Sequence, residues 1–238
     1  MSPAHHWLAF DTSTDVLSIG VATPARAETR TLAGGAQSSA SLIPVAMDLL
    51  ALADVRLSQL DAIVFGRGPG SFTGLRTACA VAQGLAFGAD VPVLPVDTLL
   101  AVAEEARVLA GVTDQPLTVL ALLDARMDEV YSAAYDWDGR QWTLRTPLQV
   151  GAPEQVALPQ AARVLLAGNA FDVYGDRLPA GERMPALPTA AALLRLAPAL
   201  WAAGQAVPAE QAMPLYIRDK VAQTTAEREA AKARGTPP

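Results

Sequence analysis

The chain has 238 residues, 51% apolar and only 18% charged, with a formal net charge of -6. These proportions exclude a wholly disordered chain and allow one large domain or two modest lobes. The acidic balance argues against a surface that grips nucleic acid by itself, which takes clustered Lys and Arg; one cysteine, Cys79, with His5 and His6 as the two histidines, supplies neither a disulfide nor a Cys/His zinc set.

The start, Met1 to Trp7, lacks a basic segment leading into a long apolar one and reads without a signal peptide. Leu8 to Asp11 and Val16 to Ala22 are expected strands joined by a turn over Thr12 to Asp15, and Glu28 to Leu32 alternates like a third strand of the same meander. A helix follows from about Ser41 to Ala53, then an apolar strand, Ala62 to Phe65. A Gly-rich loop leads into a helix from about Phe72 to Phe87, and Val93 to Val96 is again a strand. Strands alternating with helices predict a parallel portion added to the meander.

Leu99 to Leu109 reads as a helix and Gly111 to Pro116 as a linker. Beyond it, Val119 to Leu123, Val130 to Trp137 and Trp142 to Leu144 read as strands, with Asp138-Gly139 as a tight turn. Arg163 to Ala167 is a further strand, and Gly175 to Pro188, with three prolines and two glycines, is loop. Thr189 to Ala203 is a helix that Pro198 should kink or end early. The apolar tract there, Ala190 to Ala203, is broken by Arg195 and Pro198 and too short to cross a bilayer, so a soluble, cytoplasmic protein is expected. The last stretch, Val221 to Pro238, is expected to be a frayed tail. The division expected is a first lobe of residues 1–98 with about 195–218, a second lobe of 99–194, and a flexible tail of 219–238.

Three segments bear on chemistry. The loop Gly66-Arg67-Gly68-Pro69-Gly70-Ser71-Phe72-Thr73-Gly74 sits between a strand and a helix, where backbone amides can cradle a phosphate; it matches neither the Walker nor the dinucleotide pattern, and a tight turn with Ser71 as helix cap explains the same residues. The turn Asp11-Thr12-Ser13-Thr14 resembles the phosphate hairpin of the actin, hexokinase and sugar kinase superfamily, with Ser13 where those kinases usually carry glycine; an Asx turn closing a hairpin is the alternative. Asp124, Arg126, Asp128 and Glu129 offer paired carboxylates for acid/base work or simply a charged hairpin end. No histidine is placed to activate Ser71, so no triad and no catalytic residue is assigned, and Cys79 reads as a buried thiol.

Two helices are apolar almost all round: Asp48 is the one charge between Leu42 and Ala53, and Thr73, Arg76, Thr77 and Gln83 are the polar residues between Phe72 and Phe87. A helix covering one face of a sheet needs a single apolar stripe, so either both helices are buried within the domain or one side of the pair meets a partner chain, the second being the expectation in so small a domain. Candidate contacts are Leu42, Ile43, Val45, Leu49, Leu75, Arg76, Ala78, Val81, Ala82 and Leu85.

The blocks Leu8 to Thr14, Gly66 to Arg76, Ala82-Gln83-Gly84-Leu85-Ala86 and Asp124-Ala125-Arg126-Met127-Asp128-Glu129-Val130-Tyr131 together resemble the bacterial TsaB (YeaZ) family, in order and spacing, from residue 8 to about residue 218. The resemblance implies an α/β, actin-like (ASKHA) fold of two lobes, each a mixed sheet with flanking helices. It also implies a role in making threonylcarbamoyladenosine on tRNA, as an inactive paralogue and scaffold of the catalytic subunit TsaD, with the small ATPase TsaE as a further partner. TsaD-like chains carry His-x-x-x-His on the first long helix; here Gln37 to Ser41 holds no histidine, so that metal site is not built. The family picture further implies a heterodimer with TsaD, a self-dimer through the same helices without it, contact with tRNA only through the complex, and room for ATP or ADP in that complex. The rival reading is a free-standing ATPase or small kinase using Asp11, Thr12, Ser13 and Thr14 on phosphate and Asp124 as base.

Overall fold

The computed structural model describes residues 5–218; the expected tail, 219–238, lies outside the described residues. The first lobe is a five-stranded sheet in the order β3-β2-β1-β4-β5. Its strands are β1 (Trp7–Asp11), β2 (Val16–Ala22), β3 (Ala27–Ala33), β4 (Ala62–Gly68) and β5 (Val93–Asp97). β1, β2 and β3 pair antiparallel, and β4 and β5 add on parallel to β1. The long helices α1 (Ser38–Ala53) and α2 (Phe72–Ala89) lie on its outer face.

After α3 (Thr98–Leu109), the second lobe repeats the arrangement with β6 (Leu117–Asp124), β7 (Val130–Trp137), β8 (Trp142–Gly151), β9 (Val164–Gly168) and β10 (Glu182–Pro185). Its order, β10-β9-β6-β7-β8, is the same meander with two parallel strands added to its first strand. Where the first lobe has α1 and α2, the second has irregular chain and the one-turn α4 (Phe171–Tyr174). α3 and α5 (Ala190–Ala202) form the middle layer: α3 packs on the second sheet, and α5 fills the inner face of the first.

The period-2 geometry of a strand explains how β1 and β4 serve two layers. Leu8, Phe10, Ile63 and Phe65 face α1 and α2, while Trp7, Ala9, Ala62 and Val64 face α5. Both strands are therefore buried on both sides and read as unbroken apolar runs. At the crossing of the middle layer the buried Glu104 accepts from Arg107, Trp142 Nε1 and Arg195, joining α3, β8 and α5.

Several expectations are corrected. α1 starts at Ser38, three residues early, and runs through Pro44, which lies on its exposed side. Pro198 does not end α5 early, because it too is exposed and the lost hydrogen bond faces water. β8 runs to Gly151 instead of Leu144, with register shifts on either side of Ala134 that take up Arg145 on one side and one extra residue of Pro147-Leu148 on the other. The expected loop 175–188 contains β10, a polar edge strand ending at Pro185, where period-2 patterning is absent because little of it is buried.

Candidate functional site

The β1–β2 hairpin brings Asp11 to Asp15 to the mouth of a cleft between the lobes. Asp11 is fully buried; its Oδ1 accepts from Ser13 N–H at 2.8 Å and Ser13 Oγ at 2.6 Å, while Oδ2 has no partner. Burial pushes its pKa from 3.8 up to about 6, against the lowering effect of the Ser13 bonds and the Thr98 hydroxyl. The Gly-rich loop clamps the same hairpin. Thr12 Oγ1 donates to Gly74 O at 2.6 Å, and Ser71 N–H donates to Ser13 O at 2.7 Å. Added Cβ atoms at Gly66, Gly70 and Gly74 would lie 1.8 Å from Asp11 Oδ2, 2.6 Å from Ser13 and 1.8 Å from Thr12 O. Ser71 caps α2, accepting from Gly74 N–H at 3.5 Å.

Gly70 and Gly74 thus let backbone approach backbone, and Gly66 leaves room for the Asp11 carboxylate, as a tight turn requires. In this hairpin the Ser13 N–H and Oγ donors are both taken by Asp11. Thr14 alone of the four candidate nucleotide residues reaches the cleft edge without being buried.

The cleft, about 260 Å³, is lined on one side by Ser13, Thr14 and Ser71 and on the other by Leu123, Asp124, Arg126 and Tyr131. Arg126 spans it, 2.8 Å from Asp15 in the first lobe and 3.2 Å from Asp124 in the second. Asp124 accepts from Arg126 N–H and from Tyr174 Oη, both at 2.8 Å, so it anchors its loop instead of standing free as a base. Burial and the bond to Asp124 push Tyr174 up to about 12. Arg126, Met127 and Asp128 have φ of 60°, 55° and 62°, three successive left-handed residues without a glycine. Arg177 pairs with Asp128 and Glu154, holding that loop from behind.

The ten candidate interface residues divide. Leu42, Leu49, Ala78 and Ala82 are buried in the first lobe's core, and Leu75 is buried at the wall of the cleft. Val45, Val81 and Leu85 are half-buried, and Ile43 and Arg76 are exposed. Periodicity marked the helices but not their phase, so Met47, Phe72 and Phe87, exposed by 43%, 42% and 81%, were missed. With Ile43 (42%) they make an apolar outer face, and on α2 the exposed Ala80, Gly84 and Gly88 leave its backbone open to close approach.

Two equally ordered mixed sheets, helices between and around them, and a hairpin-and-loop pair at the inter-lobe cleft define a protein of the actin-like (ASKHA) class. The family model for "TsaD: tRNA N6-adenosine threonylcarbamoyltransferase" matches residues 33–226. The tRNA threonylcarbamoyladenosine biosynthesis protein TsaB of Haemophilus influenzae is 40% identical over 176 residues, 70% of each chain, and that of Escherichia coli 37% over 131 residues, 55% of each. The solved structure of YeaZ from Pseudomonas aeruginosa superposes with a TM-score of 0.82 at 40% identity, covering 89% of this chain and 99% of that one. The chain belongs to the TsaB (YeaZ) family of tRNA threonylcarbamoyladenosine biosynthesis proteins.

Proposed function

We propose that this protein is a non-catalytic scaffold subunit of the tRNA threonylcarbamoyl transfer machinery, binding and supporting TsaD through the outer face of α1 and α2. The observation that carries the reading is that face: among the exposed large apolar side chains of the described residues, Ile43, Met47, Leu52, Phe72 and Phe87 fall on these two helices. An apolar surface of this kind, with small residues along one helix, suits packing against a partner's helices. The same face would pair two copies when TsaD is absent, with TsaE joining the complex and tRNA held by it as a whole, in the cytoplasm. Among the described residues no helix is long and apolar enough to cross a membrane. In this reading ATP or ADP is held elsewhere in the complex, because the hairpin is clamped. The test is threonylcarbamoylation of unmodified tRNA by TsaD, TsaE and an adenylate-forming enzyme, with and without this chain, beside light scattering of each mixture. Product that requires the chain, with a one-to-one complex with TsaD, is the expected result; full activity without it, and no complex, overturns the proposal.

A further inference from the structure

Residues 212–218 leave the first lobe and end on the second. Ala212 O accepts from Gln83 Nε2 at 2.9 Å and from Cys79 Sγ at 3.2 Å, fixing the start to α2. Leu215 N–H donates to Arg67 O at 2.7 Å; its own carbonyl lies where a Cβ on Gly68 (φ 119°) would come within 2.7 Å, so glycine is what lets the segment seat there. The Tyr216 ring lies 5.3 Å from that of Phe72, and its hydroxyl accepts from Arg76 Nε at 3.1 Å. The segment then changes lobe. Ile217 packs against the second lobe's core, and Arg218 donates to Ala125 O at 3.0 Å, pairs with Glu129 and reaches Met127 Sδ at 3.6 Å.

We infer that residues 212–218 are a clasp, a conformational device that holds the two lobes shut across the cleft. Four consecutive residues, Leu215 to Arg218, line the cleft, the first two attached to its first-lobe wall and the last two to its second-lobe wall. They grip the left-handed loop 126–128 from its flanks, at Ala125 and Glu129, and so share with Arg126–Asp15 the task of joining that loop to the first lobe. Releasing the clasp leaves Arg126–Asp15, an exposed pair of small worth, as the tie across the mouth. The lobes then hinge about the middle layer.

The test is made in the full chain, spin-labelled at Ala25→Cys on the β2–β3 turn and Leu144→Cys on β8, both exposed, with the buried Cys79 left in place. The parent should give one narrow inter-label distance. Arg218→Ala, which removes the second-lobe end, and Tyr216→Ala, which removes a first-lobe contact, should each broaden it toward longer separation. Amides of 123–131 should exchange roughly tenfold faster while the sheet centres keep their protection. An unchanged distance in both variants overturns the clasp, as does faster exchange confined to 125–131 with the distance unmoved. Should Arg218→Ala fail to fold, Tyr216→Ala, whose contacts are surface groups of the first lobe, decides alone.

Discussion

Asp11, at the tip of the β1–β2 hairpin, is sealed in with one oxygen unpartnered. Its raised pKa means that the native state binds more protons than the unfolded chain between pH 3.8 and about 6. Its contribution to stability is therefore present below pH 3.8 and lost as pH rises through 6. Asp11→Asn keeps an acceptor for Ser13 and removes the buried charge, so it should stabilise the protein at pH 7.5 by about 1–3 kcal/mol. Urea unfolding at pH 7.5 and pH 5 checks this, the gain shrinking at the lower pH; a loss of stability at pH 7.5 would refute it. Gly74→Ala should act the other way, costing about 3 kcal/mol or more because its Cβ meets the Thr12 carbonyl and the hairpin cannot back away from β4. Guanidinium unfolding measures it.

At the scale of elements, the α1–α2 pair separates core from contact. Met47→Arg and Phe87→Arg place charges on the outer face and should leave melting temperature within a few degrees while abolishing co-elution with TsaD and self-association. Leu49→Arg, on the buried side, should instead unfold the first lobe, seen by circular dichroism, because an unpaired guanidinium has no route to water there. Outer-face variants that bind normally would place the interface elsewhere. Most elements were legible in the sequence: the doubly buried β1 and β4, the alternation of β3 and the capped start of α2 follow from apolar pattern and turn chemistry. What was not legible depends on tertiary context. Pro44 and Pro198 are tolerated because their faces are exposed, β10 is held by pairing with β9 and not by its polar side chains, and the phase of each helix is set by the sheet beneath it. Asp11 and the Gly-rich loop were read with two meanings each, and a clamp between them joins both, which neither motif shows when taken singly.

At the scale of the molecule, the lobes are joined through Glu104. Burial alone would raise its pKa, but the hydrogen bonds from Arg107, Trp142 and Arg195 prevail and hold it below the usual carboxylate range. Its contribution is thus present above pH 4.5 and lost as pH falls below that value. Glu104→Ala removes the shared acceptor of Arg107, Trp142 and Arg195, leaving Arg195 with Glu105 and Arg107 with the Val112 carbonyl, and should cost about 3 kcal/mol, read by urea unfolding at pH 7. With the hairpin clamped, calorimetry of the isolated protein with Mg-ATP should give no heat of binding up to about 1 mM, a level at which a working nucleotide site is filled; saturable binding abolished by Asp11→Ala would restore the kinase-like reading.

The position of α5 has a consequence for how the chain is made. Ribosomes release the first sheet more than ninety residues before Ala190 to Ala197, the residues that cover Trp7, Ala9, Val64 and Leu94. Until then a nascent chain has one face of that sheet bare, so domain-by-domain maturation from the N-terminus is closed to it. A product cut short before Ala190 is a target for chaperones and proteases, not a working half.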